Sequence, residues 1–298
     1  MNLDLSISEL AAKYRSGEIS PVEVISECLE NIDKNKKLNI FITLRDKDEL
    51  LREAKNIKFD NLLAGMPFVL KDAYVTKGLR TTAASNILNN YIPDYDAAVV
   101  RKLKEAGAIL IGKTNMDAWG HGASSENTDF GPVKNPWDST RVAGGSSGGA
   151  AAAIAARMAM FAIGEATGGS IRNPAGWCGI TGLKVTYGRV SRYGAIAYAS
   201  SLDTVGPMAK SAEDLAVILE LIAGQDKYDA TSSPHEVSKY SKNLNVEIKT
   251  IKLGIPLELN SQIKEAVNKL AGLGASVIDV SLPTLKYAVP AYYLLAPS

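Results

Sequence analysis

The sequence is short of the groups on which several classes of protein depend. Cysteine occurs twice, as Cys28 and Cys178, far apart and outside any Cys-x-x-Cys pair. Neither a disulfide framework nor a thiolate metal site is expected from so few. Asp72, Asp117 and Asp129 are scattered without the spacing of a metal site, so they are expected to serve as caps or surface residues. Charge of one sign is not in excess either, since 33 Lys and Arg stand against 32 Asp and Glu. Such a balance disfavours a direct nucleic-acid ligand, whose phosphates demand a basic surface. The first residues lack a basic segment followed by an apolar one, so no secretory signal is expected. The longest weakly polar stretch, 148–164, is short for a membrane span and carries Arg157 inside it. Together these absences point to a reducing, cytoplasmic setting without membrane contact.

What is present reads as an ordinary globular chain. Its 298 residues are 46% hydrophobic and 22% charged, enough to build a sizeable core. Ser20-Pro21-Val22-Glu23 combines a capping hydroxyl, a proline at the first helical position and a reciprocal Glu, and predicts a helix through Ile32. The apolar run 65–70 predicts a buried strand that presents Lys71 and Asp72 at its end. Asp96 is expected to cap a helix over 97–106, with a strand following at 108–112. Residues 150 to about 160 predict an alanine-rich helix, 161–164 a strand, and Ser211 the cap of a helix reaching Ile222. The polar stretch 226–249 reads as a surface excursion, and 261–273 and 276–280 as a final helix and strand. The apolar end, 287–295, is expected to pack on the body or on a partner, and could support a homodimer contact. This alternation predicts a single α/β domain over 1–298, a three-layer arrangement with a central mixed sheet and helices on both faces.

Two glycine-serine turns, 144–149 and 167–170, draw the chemical question. A phosphate-binding loop is rejected because no Lys follows the glycines. Gly145-Ser146-Ser147-Gly148-Gly149 matches a nucleophile elbow in form, but the only histidine after it is His235, in the polar stretch, and His121 comes before it. Plain turns would leave the placement of Lys71 unexplained. A fourth reading needs no histidine: a serine nucleophile activated by a lysine through or beside a second serine, with the lysine made neutral by an apolar or cationic surround.

At these residues the sequence resembles the amidase signature family. Gly144 to Ala152 and Thr167-Gly168-Gly169-Ser170-Ile171-Arg172-Asn173-Pro174-Ala175 carry the resemblance, and 66–72, 112–117, 127–131 and 182–191 extend it. The resemblance implies the amidase signature fold, with Ser170 as nucleophile, Ser146 as a bridging serine after a cis peptide bond, and Lys71 as base. It implies an oxyanion hole of the N–H groups of Thr167, Gly168, Gly169 and Ser170, where glycine keeps side chains out of the turn. It implies no cofactor and no metal. Arg172 could hold a substrate carboxylate or make a structural ion pair, Trp119, Trp137 and Trp177 are expected in the core or a pocket wall, and Cys178 reads as a small buried apolar residue.

Two departures stand out. Ala166 occupies the place of the Asp usual before the Thr-Gly-Gly-Ser turn, and Glu165 is one residue off, on the other face of a strand. Family members also continue well past Tyr292-Tyr293-Leu294-Leu295 with segments that wall the pocket, so a permissive, open site is expected. The function expected is a serine-type amidase that hydrolyses small carboxamides, and esters with them, through an acyl-enzyme. Two alternatives stay open. One is a family member that releases ammonia from glutamine for the partner subunits of a tRNA-linked amidotransferase; the other is an impaired, non-catalytic scaffold.

Overall fold

Capping chemistry starts the chain. Ser6 and Ser20 each accept a hydrogen bond from the backbone of a Glu three residues on, whose carboxylate reaches back to the serine N–H. These reciprocal boxes begin α1 (Ile7–Ser16) and α2 (Pro21–Lys34). Then follow β1 (Phe41–Leu44), α3 (Lys47–Lys55), β2 (Pro67–Lys71), α4 (Ala98–Glu105), β3 (Ile109–Thr114), α5 (Gly148–Ala155), β4 (Phe161–Ala166), α6 (Arg172–Cys178), β5 (Thr181–Gly182), β6 (Thr204–Ala209) and α7 (Ala212–Ile222). The computed structural model describes residues 2–258 and 261–296, the side chains of 261 and 262 apart. Its contacts gather into two compact units, Met1–Tyr240 and Ser241–Ser298.

The first unit holds a six-stranded mixed sheet in the order β1-β3-β2-β4-β6-β5. Its centre, β3-β2-β4, is parallel, while β1 and β6 run antiparallel to their neighbours and β5 to β6. Alternate residues of the central strands enter different cores, as the period-two pleat requires. Phe68, Leu70, Leu110, Phe161 and Ile163 pack with Leu10 of α1, Leu103 of α4 and Ile218 of α7. Val69, Ile109, Ile111 and Ala162 pack with Leu50 of α3, Ala151 of α5 and Ala175 of α6. Helices thus cover both faces, giving the three layers read from the sequence. Each Leu- or Phe-sized side chain buried this way contributes about 1.5–3 kcal/mol.

Several local expectations need correction. The alanine helix starts earlier and stops sooner, at Ala155, because Arg157 adopts a left-handed φ of 55°. Asp96 does not cap α4; its carboxylate accepts from Lys77 N and pairs with Lys104. Asp72 and Asp117 are wholly buried rather than surface residues. The first part of the polar stretch is pinned, not a free excursion: Ser191 donates to Asp226 at 2.7 Å and the Arg192 N–H to Asp229 at 2.8 Å. Its polarity serves internal hydrogen bonds that the composition could not distinguish from solvation.

The second unit contains β7 (Lys252–Pro256), α8 (Ser261–Gly272), β8 (Ser276–Val280) and α9 (Ala288–Leu295), with β7 and β8 parallel. The side chains of Val289 and Tyr293 on α9 are well exposed. Among the described residues no helix is long and apolar enough to cross a membrane.

Candidate active site

Because β2 and β4 are parallel neighbours, with Leu70 opposite Ile163, their carboxyl ends lie side by side. Lys71 closes β2 there, and Glu165 and Ala166 close β4. Ligands of open α/β sheets are met at this edge. The turn 167–170 leaves β4 for α6, and 144–147 leads into α5. The two turns are tied together: Ser147 N donates to Ser170 O at 3.2 Å, and Gly145 N to Asn173 Oδ1 at 3.0 Å.

Lys71 and Ser146 are each 1% exposed, and Lys71 Nζ donates to Ser146 Oγ at 2.7 Å. The peptide bond between Gly145 and Ser146 is cis. Lys71 Nζ also meets the carbonyl oxygen and the Oε2 of Glu165, both at 3.3 Å. The lysine was expected in an apolar or cationic surround; instead an acidic side chain lies against it. Glu165 is itself buried, and burial pushes its carboxyl up to about 7, with Asp203 adding to the rise and the charge of Lys71 opposing it. Its Oε1 is buried with no hydrogen-bond partner among the described residues.

Sequence reasoning passed over this residue as an off-register stand-in for the missing Asp. The alternation it invoked holds, since Ala166 faces the opposite side, in the cluster with Ala162 and Met208. The usable signal was different: one acid in an otherwise apolar buried strand, beside another strand that ends in lysine.

Ser170 lies at the edge of burial, 9% exposed, and its Oγ has no hydrogen-bond partner among the described residues. Lys71 and Ser146 are therefore brought into contact, while Ser170 joins them through the backbone bond of its own carbonyl to Ser147. The N–H groups of Thr167, Gly168, Gly169 and Ser170 likewise donate to nothing among the described residues. Around the turn, Thr167 Oγ1 donates to Asp203 at 2.5 Å, and Arg172 braces the Gly168 carbonyl at 3.0 Å and makes no ion pair among the described residues.

The other candidates separate from this cluster. His121 stacks edge-on against Tyr198, and the His235 carbonyl accepts from Arg189. Trp137 and Trp177 are 71% and 53% exposed, not core. Cys178 is buried, and burial pushes its thiol up to about 12. No cluster of metal-ligating side chains occurs among the described residues.

A buried lysine on a serine, next to a glycine turn that bares successive amides, is a set suited to serine-lysine acyl transfer. The chain belongs to the amidase family, whose profile matches residues 23–298. It is similar to a glutamyl-tRNA(Gln) amidotransferase subunit of Carboxydothermus hydrogenoformans, 47% identical over 99% of this chain and 64% of that relative. The solved structure of the glutamyl-tRNA(Gln) amidotransferase subunit from Thermotoga maritima superposes with a TM-score of 0.89 at 39% identity, covering 100% of this chain and 66% of that one. The native peptide amidase of Stenotrophomonas maltophilia gives 0.87 at 32% identity, over 97% and 65%. The chain spans about 64% of the length of the curated relatives it matches.

Proposed function

We propose that this chain releases ammonia from the side-chain amide of glutamine by serine chemistry, for use by partner subunits in a tRNA-linked amidation. The observation that carries the chemistry is the buried 2.7 Å contact between Lys71 and Ser146 beside the bare amides of 167–170. Ser170 attacks the amide carbon, its proton passes to Ser146 and on to Lys71, and the turn amides hold the oxyanion. Ammonia leaves, and water resolves the acyl-enzyme by the reverse path.

The choice of substrate rests on the relatives. Those similar over 98–99% of the chain at 44–47% identity carry the name of an amidotransferase subunit, which favours this alternative over the broad stand-alone amidase first expected. The test is ammonia release by the purified chain, with and without amidotransferase partner subunits, from glutamine and from a panel of aliphatic and aromatic amides. Glutamine-selective release, raised by the partners, is expected. Comparable turnover of several unrelated amides by the chain alone would return the assignment to a general amidase, and no acylation of Ser170 by any of them would leave the scaffold reading.

A further inference from the structure

Glu165 has no part in the triad described above, yet it lies against the base of that triad in a place sealed from water. We propose that Glu165 is a positioning residue acting through Lys71: it receives the proton set free when Ser170 is activated, so that Lys71 relays this proton instead of keeping it. The proposal rests on the roles given above to Lys71, Ser146 and Ser170.

The geometry around Lys71 Nζ supports it. Three acceptors surround that nitrogen: Ser146 Oγ at 2.7 Å, and Glu165 O and Oε2 at 3.3 Å. An ammonium has three N–H donors and fills all three positions, whereas a neutral amine has two. A buried ammonium needs a counter-charge, and Glu165 is its one ion-pair partner among the described residues. The lysine and carboxylate together form a neutral unit that can hold its proton on either side.

The relay balances. As the bond forms between Ser170 Oγ and the amide carbon, the carbonyl electron pair moves onto oxygen. One Lys71 proton passes to Glu165 Oε2, which frees a lone pair on Nζ; the Ser146 proton then moves to that nitrogen and the Ser170 proton to Ser146 Oγ. One negative charge has moved from the carboxylate to the oxyanion, where the amides of 167–170 receive it. When the C–N bond breaks, the proton returns along the same path to the departing nitrogen.

The environment makes Glu165 a willing acceptor. Its Oε1 lacks any donor among the described residues, which leaves the anion under-solvated relative to the acid. The titratable groups that act on it are Lys71 from β2, Tyr74 from the turn after β2, and Asp203 ahead of β6. Burial also pushes the Tyr74 phenol up, so it stays neutral and donates to Gly164 O at 2.8 Å. With its carboxyl raised to about 7, Glu165 is filled below that pH and open to a proton above it.

The decisive variant is Glu165→Gln, which keeps an acceptor for Lys71 but cannot take a proton. The measurement is the pH dependence of Ser170 acylation by a fluorophosphonate probe on the full chain, with the labelled serine located by mass spectrometry, alongside kcat and KM for glutamine. For the native chain the rate should rise with a midpoint near 7. The variant should lose that step and fall about a hundredfold in rate at pH 7.5, with KM unchanged. A variant that keeps the step, or acylates as fast as the native chain or faster, would overturn the relay, because the carboxylate would then only hold Lys71. Should Glu165→Gln fail to fold, Glu165→Asp replaces it: a retained titration step supports the proposal and its absence overturns it. Labelling on a serine other than Ser170 would instead bring down the triad on which the relay depends.

Discussion

Between residues 144 and 149 the chain has no room to spare, whereas at Gly169 it is nearly unencumbered. Gly144 has φ 77°, and a Cβ there would sit 2.6 Å from Asn173 Oδ1 and 2.9 Å from Pro174 Cα. A Cβ on Gly145 would run into the Asp117 carboxylate and come within 2.7 Å of Ser124 N. At Gly169 the same addition would meet only Asn173 Cβ, at an ordinary 3.7 Å. One turn needs glycine because the protein crowds it, while the other has glycine where the protein leaves space. What a side chain at 169 would obstruct is the approach to the bare amides. The same letters, Gly-Gly-Ser, therefore answer to folding in one place and, on the proposed function, to chemistry in the other.

That contrast is sharpest where activity and stability are measured together. Ser170→Ala should lower amide hydrolysis by several orders of magnitude, since members of a triad act as a unit. Its melting temperature should hardly move, because Oγ has no partner to lose; a large drop in stability would mean that this turn is structural after all. Gly145→Ala should behave in the opposite sense, losing roughly 3 kcal/mol in urea unfolding through overpacking, with activity lost as the fold is lost. Gly169→Ala should stay within about 0.5 kcal/mol of the native stability, yet lose turnover by up to a hundredfold on the scale of a weakened oxyanion hole. Equal losses of stability in the two glycine variants would erase the distinction.

A further effect concerns the pH dependence of stability. The carboxyl of Glu165 rises on folding from 4.5 to about 7, so between those values the folded chain binds more protons than the unfolded one. Stability should therefore fall as pH rises through that window, with a slope of at most one proton, about 1.4 kcal/mol per pH unit. Glu165→Gln should flatten this slope. An unchanged pH profile in unfolding titrations would show that Lys71 cancels the effect of burial.

Much of the architecture was legible because local signals agreed with one another. Ser20 and Ser211 began helices as their capping chemistry required, and the apolar runs at 65–70 and 161–164 became the central strands Pro67–Lys71 and Phe161–Ala166. The glycine-serine turns and the placement of Lys71 suggested serine-lysine chemistry, but the role of each residue came from family resemblance, since spacing alone cannot bring Lys71 to Ser146 across 75 positions. What stayed hidden were pairings that only the sheet creates. Lys113 and Asp72 form a buried ion pair at 3.0 Å, with Lys113 Nζ also donating to Tyr74 O and Thr81 Oγ1. Glu165 finds Lys71 by strand register, and Asp226 and Asp229 look like solvated loop residues until the Ser191 hydroxyl and the Arg192 N–H arrive. A buried charge can be recognised in a sequence as an anomaly, but its partner emerges only with the topology.

The carboxylate of Asp203 has a reach that its position ahead of β6 does not suggest. It accepts from Tyr198 N and Ala199 N as well as from the Thr167 hydroxyl. One side chain thus moors the loop 198–203 and the turn 167–170 to the same point. A displacement of the loop must drag the turn along or break a 2.5 Å hydrogen bond. The amides that would hold a substrate oxygen are therefore leashed to a segment outside their own turn.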